Sequence, residues 1–300
     1  MLSERSFKRV RINSAEALLA FSRKLPPQAS PQWWLFRGMR RDHDLQTSLE
    51  RVLVESAIPL DGAEGVERKL LKLFKRRAHH HVHPLPSDGD TLGWLALMQH
   101  YGAPTRLLDW TYSFYVAAFF ALAESTSTPP ATRAPAVVWA LYREAFKLTD
   151  QAPVAGAAYD AAVRCGSVSG DTGRSDADTT YDGILAYLQS VMEKPEPSIW
   201  AVNSYRLNER VSVQQGVFLC PGDVRVPFED NLRAGHPSSK VLVRFEFSAR
   251  HGAMSEMLEV LNRMNVNFAS LFPGLDGFAR SLRQAPWIRG MLRPDAASHK

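Results

Sequence analysis

The chain has 300 residues, of which 45% are hydrophobic and 22% are charged, a composition typical of a folded globular protein. These values exclude global disorder and collagen-like repeats, and the two cysteines, Cys165 and Cys220, exclude a disulfide scaffold. The 36 basic and 31 acidic residues give a net charge of +5, a mild excess compatible with a polyanionic partner such as nucleic acid.

Nothing in the sequence predicts membrane insertion or secretion. The longest uncharged apolar stretch, residues 110–123, is too short and too interrupted by polar side chains to span a bilayer. The first residues, MLSERSFKRVRIN, are charged throughout and lack the apolar core of a signal peptide. Two free thiols are typical of a reducing compartment, so we expect a cytoplasmic protein without a membrane partner.

The first half of the chain predicts helices around one aromatic strand. Residues 13–25 are predicted to form an amphipathic helix with a capping box from Asn13 to Glu16, ended by Pro26. Residues 33–39, WWLFRGM, predict a short strand that leads into a glycine turn. Further helices are predicted at 65–77, 91–100 and 112–123.

The second half of the chain predicts more strands and one insertion. Residues 164–183 are rich in Gly, Ser, Asp and Thr, which indicates a flexible surface insertion. Strands are predicted at 137–143, 210–219 and 240–247, and a helical core stripe at 254–261. Strands mixed with helices without a regular βαβ rhythm predict one α+β domain that covers residues 1–300.

The basic helix 65–77 directs Val66, Leu70 and Phe74 inward and carries six basic residues between Arg68 and Arg77. It could steer a nucleic acid, or it could be a solvated face partly balanced by Glu64 and Glu67. The candidate nucleic-acid-binding residues are Arg68, Lys69, Lys72, Lys75, Arg76 and Arg210.

The segment RRAHHHVHP, which follows this helix, holds His79, His80, His81 and His83. Short histidine tracts can bind metal, but no CxxC or HExxH pattern accompanies these four. A solvated helix end, where histidine suits the negative end of the helix dipole, is the favoured interpretation. We therefore predict no metal site.

Three segments place polar side chains in apolar surroundings. The guanidinium of Arg37 lies in an aromatic strand and needs partners, and Gly38 beside it permits close approach of a ligand or backbone. The second segment, QHYGAPTRLLDWT at 99–111, groups polar residues around Leu107, Leu108 and Trp110. These polar residues are Gln99, His100, Arg106, Asp109 and Thr111.

The third segment, RVSVQQGVF at 210–218, predicts a strand whose valines face the core, so that Gln214 can face a cleft. Structural explanations exist for all three segments: Arg106 and Asp109 could form an ion pair, Arg37 could pair with a buried acid, and Gln214 could cap a loop. P-loop, GxGxxG and GxSxG motifs are missing from the sequence.

These segments resemble a known family. LFRGM, QHYGAPTRLLDWT followed by an apolar helix, RVSVQQGVF and LFPGLDGFARSL resemble, in that order, the signatures of bacterial and phage FRG-domain proteins, over about residues 14–283. The resemblance implies a cytoplasmic effector, toxin-like or linked to phage defence. The family pattern is similar to that of ADP-ribosyltransferases, which implies a split, mixed sheet flanked by helices.

By this resemblance Arg37 would hold the pyrophosphate of NAD, the substrate, and Thr111 would take the hydroxyl position. Gln214, or Gln215, would match the late-strand residue that grips a ribose hydroxyl. The residues implied in NAD binding are Arg37, Gly38, His100, Tyr101, Arg106, Thr111 and Gln215. Because this strand carries no carboxylate, a general base would come from Asp109, Glu209, His100 or the target, with Asp109 preferred.

The leading interpretation is a toxin-like mono-ADP-ribosyltransferase in which Arg37, Asp109 and Gln214 are catalytic. It would modify nucleic acid, with RNA favoured over protein, in an antiviral or toxin–antitoxin system, and a cognate antitoxin protein would be its partner. One alternative is a non-catalytic module that binds a nucleotide or nucleic acid. Another is a metal-independent nuclease that uses His100 and Asp109 as acid and base.

Overall fold

A computed structural model provides the structure of the protein. It describes residues 7–26, 34–39, 44–126, 136–142, 188–189, 192–203, 209–235, 238, 240–248 and 250–282. The predicted insertion at 164–183, and Cys165 within it, lie outside the described residues. Across the described ranges, every helix is too short or too polar to cross a membrane.

The chain folds into an α+β structure around one mixed sheet of seven strands. The strands are β1 (Lys8–Ile12), β2 (Trp34–Met39), β3 (Leu108–Thr111), β4 (Val137–Tyr142), β5 (Ile199–Val202), β6 (Gly216–Pro221) and β7 (Leu242–Phe247). Their order across the sheet is β1-β7-β4-β2-β3-β6-β5. The β1–β7 pair is parallel, and the other neighbouring pairs are antiparallel.

Helices cover both faces of this sheet. They are α1 (Ala15–Leu19), α2 (Ser48–Glu55), α3 (Ala63–Ala78), α4 (Thr91–His100), α5 (Phe114–Thr126), α6 (Glu209–Val213), α7 (Phe228–Ala234), α8 (His251–Arg263), α9 (Phe268–Leu271) and α10 (Leu275–Leu282). Single 3-10 turns occur at Phe21–Lys24 and Leu60–Gly62.

Two hydrophobic cores fix the sheet between these helices. On one face, α5 packs against β2 and β4, and α8 covers α5, so α5 is apolar nearly all round. On the other face, side chains of β2, β3 and β4 pack against Phe228 and Leu232 of α7. The alternation of Trp34, Leu35 and Phe36 between these cores explains why the first half of β2 is apolar on both faces.

The junction of β2 and β3 is the weakest point of the sheet. These two strands are joined by a single residue pair, Phe36 with Thr111, whereas β2 pairs with β4 over six residues. Beyond Phe36 the backbones of β2 and β3 no longer pair, although the sheet remains continuous through Phe36. This opening of the sheet positions the site described below.

Several predicted elements are confirmed: β2, α4, β4, β7 and α8 lie where the patterns indicate. The glycine turn predicted at the end of β2 is wrong, because Gly38 lies within the strand. The predicted helix 13–25 is shorter. Ser14, not Asn13, is its N-cap and accepts a hydrogen bond from the amide of Ala17, and α1 ends after one turn. The chain then continues as the 3-10 turn Phe21–Lys24.

The prediction of a continuous strand at 210–219 is wrong. The segment Glu209–Val213 is helical, Gln215 has a left-handed φ of 49°, and β6 begins at Gly216. The alternating valines do not form a core face, because Val213 is 40% exposed. Val211 instead packs against Gly216, where a Cβ atom would lie 2.9 Å from the Val211 side chain.

Cys220 is a buried free thiol in β6, in the core between β6 and α4. Burial raises the pKa of this thiol to about 12. Because only a thiolate is an effective nucleophile, this cysteine is inert at neutral pH.

Candidate functional site

A cavity of about 460 Å³ lies where β2 and β3 diverge. Its walls come from the ends of these strands, from α4 and α5, and from the two short segments 210–214 and 268–272. The cavity is therefore lined by residues from all four motifs that carry the family resemblance. Among its lining residues are Arg37, Gly38, His100, Asp109, Thr111, Arg210 and Gln214.

Arg37 is more buried than Arg210 and Arg280, the other arginines of this cavity. Its Nη1 donates to the backbone carbonyl of Asp109, whereas its buried Nε–H has no hydrogen-bond partner among the described residues. Burial lowers the pKa of Arg37, and the nearby charges of Asp109 and Glu124 oppose that effect. A buried donor without a partner costs free energy, so a ligand acceptor at this position would be favoured.

Gly38 lets α5 approach β2. A Cβ atom at position 38 would overlap the backbone carbonyl of Ala117, so the packing of the helix on the strand requires glycine. The sequence analysis expects either a ligand or a backbone segment close to Gly38. The structure shows a backbone segment, that of α5 at Ala117. Gly38 also contributes to the cavity wall.

Asp109 presents an exposed carboxylate whose orientation is fixed by a chain of hydrogen bonds. Its Oδ2 accepts from Nε2 of Gln99 at 2.8 Å, and Oε1 of Gln99 accepts from the hydroxyl of Thr105 at 2.6 Å. The Thr105 hydroxyl fixes which end of the Gln99 amide faces Asp109. Gln99 is therefore a positioning residue, although its place in the motif did not indicate this role.

Thr111 and Gln214 are tied to each other and to the cavity wall. The Thr111 hydroxyl donates to the carbonyl oxygen of Gln214 at 2.7 Å and accepts from the amide of Ser113 at 3.0 Å. Nε2 of Gln214 donates to the carbonyl of Leu271 at 2.9 Å. Gln214 and Arg37 thus line one cavity, as predicted, but Gln214 reaches it from a turn and not from a strand.

Arg106 has a different place from the one predicted. Its guanidinium is 1% exposed and forms a two-pronged ion pair with Glu67, which is fully buried, and it also donates to the carbonyl of Pro221. The predicted contact of Arg106 with NAD is therefore corrected: the group is enclosed in the protein. The alternative pairing of Arg106 with Asp109 is also wrong.

Tyr101 and Gln215, which the resemblance implies in NAD binding, lie outside the lining of this cavity. Tyr101 follows α4 and is 59% exposed. Gln215 is an exposed turn residue whose carbonyl accepts from the amide of Tyr112.

A second cavity of about 440 Å³ adjoins the first. The two share His100, Arg210, Phe272 and Arg280. The guanidinium carbons of Arg210 and Arg280 lie 4.5 and 5.4 Å from the centre of the Phe272 ring. Burial and the charge of Arg210 lower the pKa of His100, so its imidazole is neutral at pH 7.

The cavity also contains residues that sequence reasoning missed. Glu124, near the end of α5, provides a second carboxylate, and Phe268 and Phe272 form an aromatic wall. Glu124 was not predicted as a site residue because the apolar pattern of this helix indicates core packing only. The late segment LFPGLDGFARSL was recognisable as a motif, but its pattern did not show which side chains face a cavity.

The FRG domain family model matches residues 32–129 of the chain. The chain carries an FRG domain. The matched range contains β2, α4, β3 and α5, and hence Arg37, Gln99, Asp109 and Glu124. The segments that carry Arg210, Gln214 and Arg280 lie beyond it. No curated protein and no solved structure matches the chain.

The basic helix α3 lies within the same FRG domain and is partly as predicted. Val66, Leu70 and Phe74 are half-buried, and Lys69, Lys72 and Arg76 are exposed. Two of the candidate cations already have partners. Arg68 bonds to Glu64 and to the carbonyl of Met192, and Lys75 donates to the carbonyl of Asp88.

The sequence suggests that Glu67 partly balances the charge of the basic face of α3. In the structure Glu67 does not lie on that face, because it is buried beneath the helix and paired with Arg106. The histidine tract after α3 is exposed at His79 and His80. Within the ranges that the structure describes, no three His, Cys, Asp or Glu residues are grouped in a way that could hold a metal ion.

Proposed function

We propose that this FRG-domain protein is an ADP-ribosyltransferase-like enzyme that transfers ADP-ribose from NAD to a macromolecular acceptor. NAD would bind where the sheet opens between β2 and β3. The observation that carries the proposal is one cavity that contains both the Arg37 guanidinium and the oriented Asp109 carboxylate. The Nε–H of Arg37 has no hydrogen-bond partner in the part of the chain that the structure describes. A volume of about 460 Å³ lies in the range of small-molecule and cofactor sites.

The residues present fit a dinucleotide. Arg37 supplies a charged donor for a pyrophosphate oxygen, a contact for which guanidinium groups are well suited. Phe120 and Phe268 supply apolar surface against which an adenine or nicotinamide ring can pack. Among the described residues, only the Nε2 of Gln214 is engaged, by Leu271, so its Oε1 can accept a hydrogen bond from a ribose hydroxyl.

The proposed reaction is a displacement at the anomeric carbon of the nicotinamide ribose. The bond from this carbon to the nicotinamide nitrogen breaks, and its electron pair neutralises the positive pyridinium ring. An oxygen or nitrogen atom of the acceptor bonds to the same carbon, and its proton passes to the Asp109 carboxylate. The positive charge that develops on the ribose is stabilised by Asp109 and Glu124, whose side chains line this cavity.

For the acceptor we favour nucleic acid, preferably RNA, over protein. The exposed cations of α3 and the net charge of +5 would steer a polyanion toward the domain. A toxin that modifies nucleic acid in the cytoplasm would arrest growth on expression, and a cognate antitoxin protein would relieve the arrest.

The test is incubation of the purified protein with NAD labelled in its ADP-ribose moiety and with RNA, DNA or lysate proteins. We expect release of nicotinamide and labelling of one class of macromolecule. Replacement of Arg37 by Gln or of Asp109 by Asn should abolish labelling, whereas Arg263→Gln, which removes an exposed charge on α8, should not. Intact NAD in every mixture would contradict the proposal.

A second candidate is a module that binds a nucleotide without chemistry. The hydrogen bonds of Thr111 and of Gln214 Nε2 within the protein favour it, because they use polar groups that catalysis would otherwise require. Saturable NAD binding without nicotinamide release would support this candidate. Shortening of RNA in the absence of NAD would instead support a nuclease based on His100 and Asp109.

A further inference from the structure

The second cavity contains a pair of guanidinium groups, shared with the first cavity, to which the proposed dinucleotide contacts give no role. We propose that this cavity is a phosphate-binding subsite for the acceptor, in which Arg210 and Arg280 hold a phosphate of a nucleic-acid strand. This inference rests on the proposed function and names the class of its acceptor.

Phe272 holds the two guanidinium groups in place. Their carbon atoms lie 4.5 and 5.4 Å from the centre of its ring, within the range of cation–π attraction. A guanidinium packed on an aromatic ring keeps its in-plane N–H donors free to bind a ligand. Those donors suit the oxygens of a phosphate, which accept hydrogen bonds in pairs.

The two arginines have no ion-pair partner within 4 Å among the residues that the structure describes. Burial lowers the pKa of Arg210; the charge of Asp109 raises it, and the charge of Arg280 lowers it because the two guanidinium groups repel each other. A bound anion would relieve this repulsion. The arrangement is therefore better suited to a liganded state than to an empty one.

Two acids, Glu209 and Asp276, also line the second cavity. Each lies in the first turn of its helix, where a carboxylate is stabilised by the helix dipole, and each is exposed to solvent. These acids therefore offset the field of the arginines only in part.

The position of the subsite relates it to the proposed reaction. Arg210, Arg280, Phe272 and His100 line both cavities, so a phosphate held by the arginines is next to the cavity that contains Asp109. The neutral imidazole of His100 adds no charge, and it can donate one hydrogen bond to a sugar or base and accept another. A strand bound here would present the adjoining nucleotide to the reacting carbon.

The experiment measures binding of short fluorescent single-stranded RNA and DNA by anisotropy, without NAD, and competition by ADP and by inorganic phosphate. Arg280→Gln should weaken binding of the oligonucleotide about tenfold, because a hydrogen bond to a charged group is lost. It should also reduce the slope of log affinity against log salt by about 0.7, as expected for one phosphate contact. Phe272→Leu, which removes the ring but no charge, should weaken binding about threefold.

Arg263→Gln is the matched control, because Arg263 is an exposed arginine paired with Glu259 and lines neither cavity. Its binding should equal that of the wild type. Equal binding by Arg280→Gln and the wild type, or binding of ADP without either oligonucleotide, would overturn the inference. Oligonucleotide binding that depends on Arg280, in a protein that never consumes NAD, would refute the proposed transfer and leave the phosphate subsite standing.

Discussion

Two arginines of the FRG domain show how the same side chain serves two purposes. Under α3, Arg106 is enclosed with Glu67, and its charge is matched by a carboxylate. In the cavity between β2 and β3, Arg37 bonds to a backbone carbonyl and keeps one buried donor without a partner in the described part of the chain. A guanidinium paired in this way maintains the fold, whereas one with an unused donor in a cavity is suited to binding.

This difference predicts opposite consequences for stability and function. Arg106→Met should lower the free energy of unfolding by about 3–5 kcal/mol, because it leaves the buried carboxylate of Glu67 without its partner. Urea denaturation followed by circular dichroism measures the change. A loss below about 1 kcal/mol would show that the pair does not hold the domain together.

The wall between the cavity and the core can be tested at Gly38. Gly38→Ala should destabilise the protein by about 1–3 kcal/mol, because the added methyl group forces α5 away from β2. Gly65→Ala is the control: this glycine lies in α3 with nothing near its missing Cβ, and the change should be neutral or stabilising. Equal thermal shifts for both variants would contradict the close packing.

The orientation of Asp109 supplies a smaller effect. Gln99→Ala removes the amide that donates to Oδ2 of Asp109 and should reduce the rate of nicotinamide release about tenfold, a typical consequence of losing one positioning hydrogen bond. The KM for NAD should change little, and Gln99→Glu should not restore the rate, because a carboxylate cannot donate to Asp109. A change confined to KM would assign Gln99 to binding.

The smallest expected effect is the pH dependence of stability through His100, whose pKa lies below its ordinary value of about 6.5 in the folded protein because of burial and Arg210. The unfolded chain therefore takes up this proton first as the pH falls below about 6.5, and stability decreases. His100→Gln should flatten that decrease in denaturation curves taken between about pH 5 and 7. An unchanged profile would show that His100 is not shielded as the structure indicates.

The sequence predicts those helices and strands in which the spacing of apolar residues shows which side chains are buried. Alternating apolar residues identify β7, the spacing of Met254, Met257 and Leu261 identifies α8, and the aromatic run identifies β2. The short strands β1, β3 and β5 have no counterpart in the predictions. Their hydrogen bonds come from neighbours far along the chain, and their four or five residues are too few to establish a period.

The site was predictable where a polar residue interrupts an apolar pattern, as Arg37 and Asp109 do. It was not predictable where the partner is distant in sequence. Arg106, which precedes β3, pairs with Glu67 in the middle of α3. Arg210 of α6 and Arg280 of α10 meet at Phe272, more than 60 residues along the chain from Arg210. The strand predicted at 210–219 failed because Gln215 adopts a left-handed turn that the alternating valines conceal.

The most direct test of the central claim is calorimetric titration of NAD into the wild type, Arg37→Gln and the control Arg263→Gln. Saturable binding is expected for the wild type and the control. Arg37→Gln should bind NAD at least tenfold more weakly, since one charge-assisted hydrogen bond to the pyrophosphate is lost. Its free energy of unfolding should change by no more than about 1 kcal/mol. Equal affinity in all three proteins, or no NAD binding by the folded wild type, would contradict the assignment of this cavity.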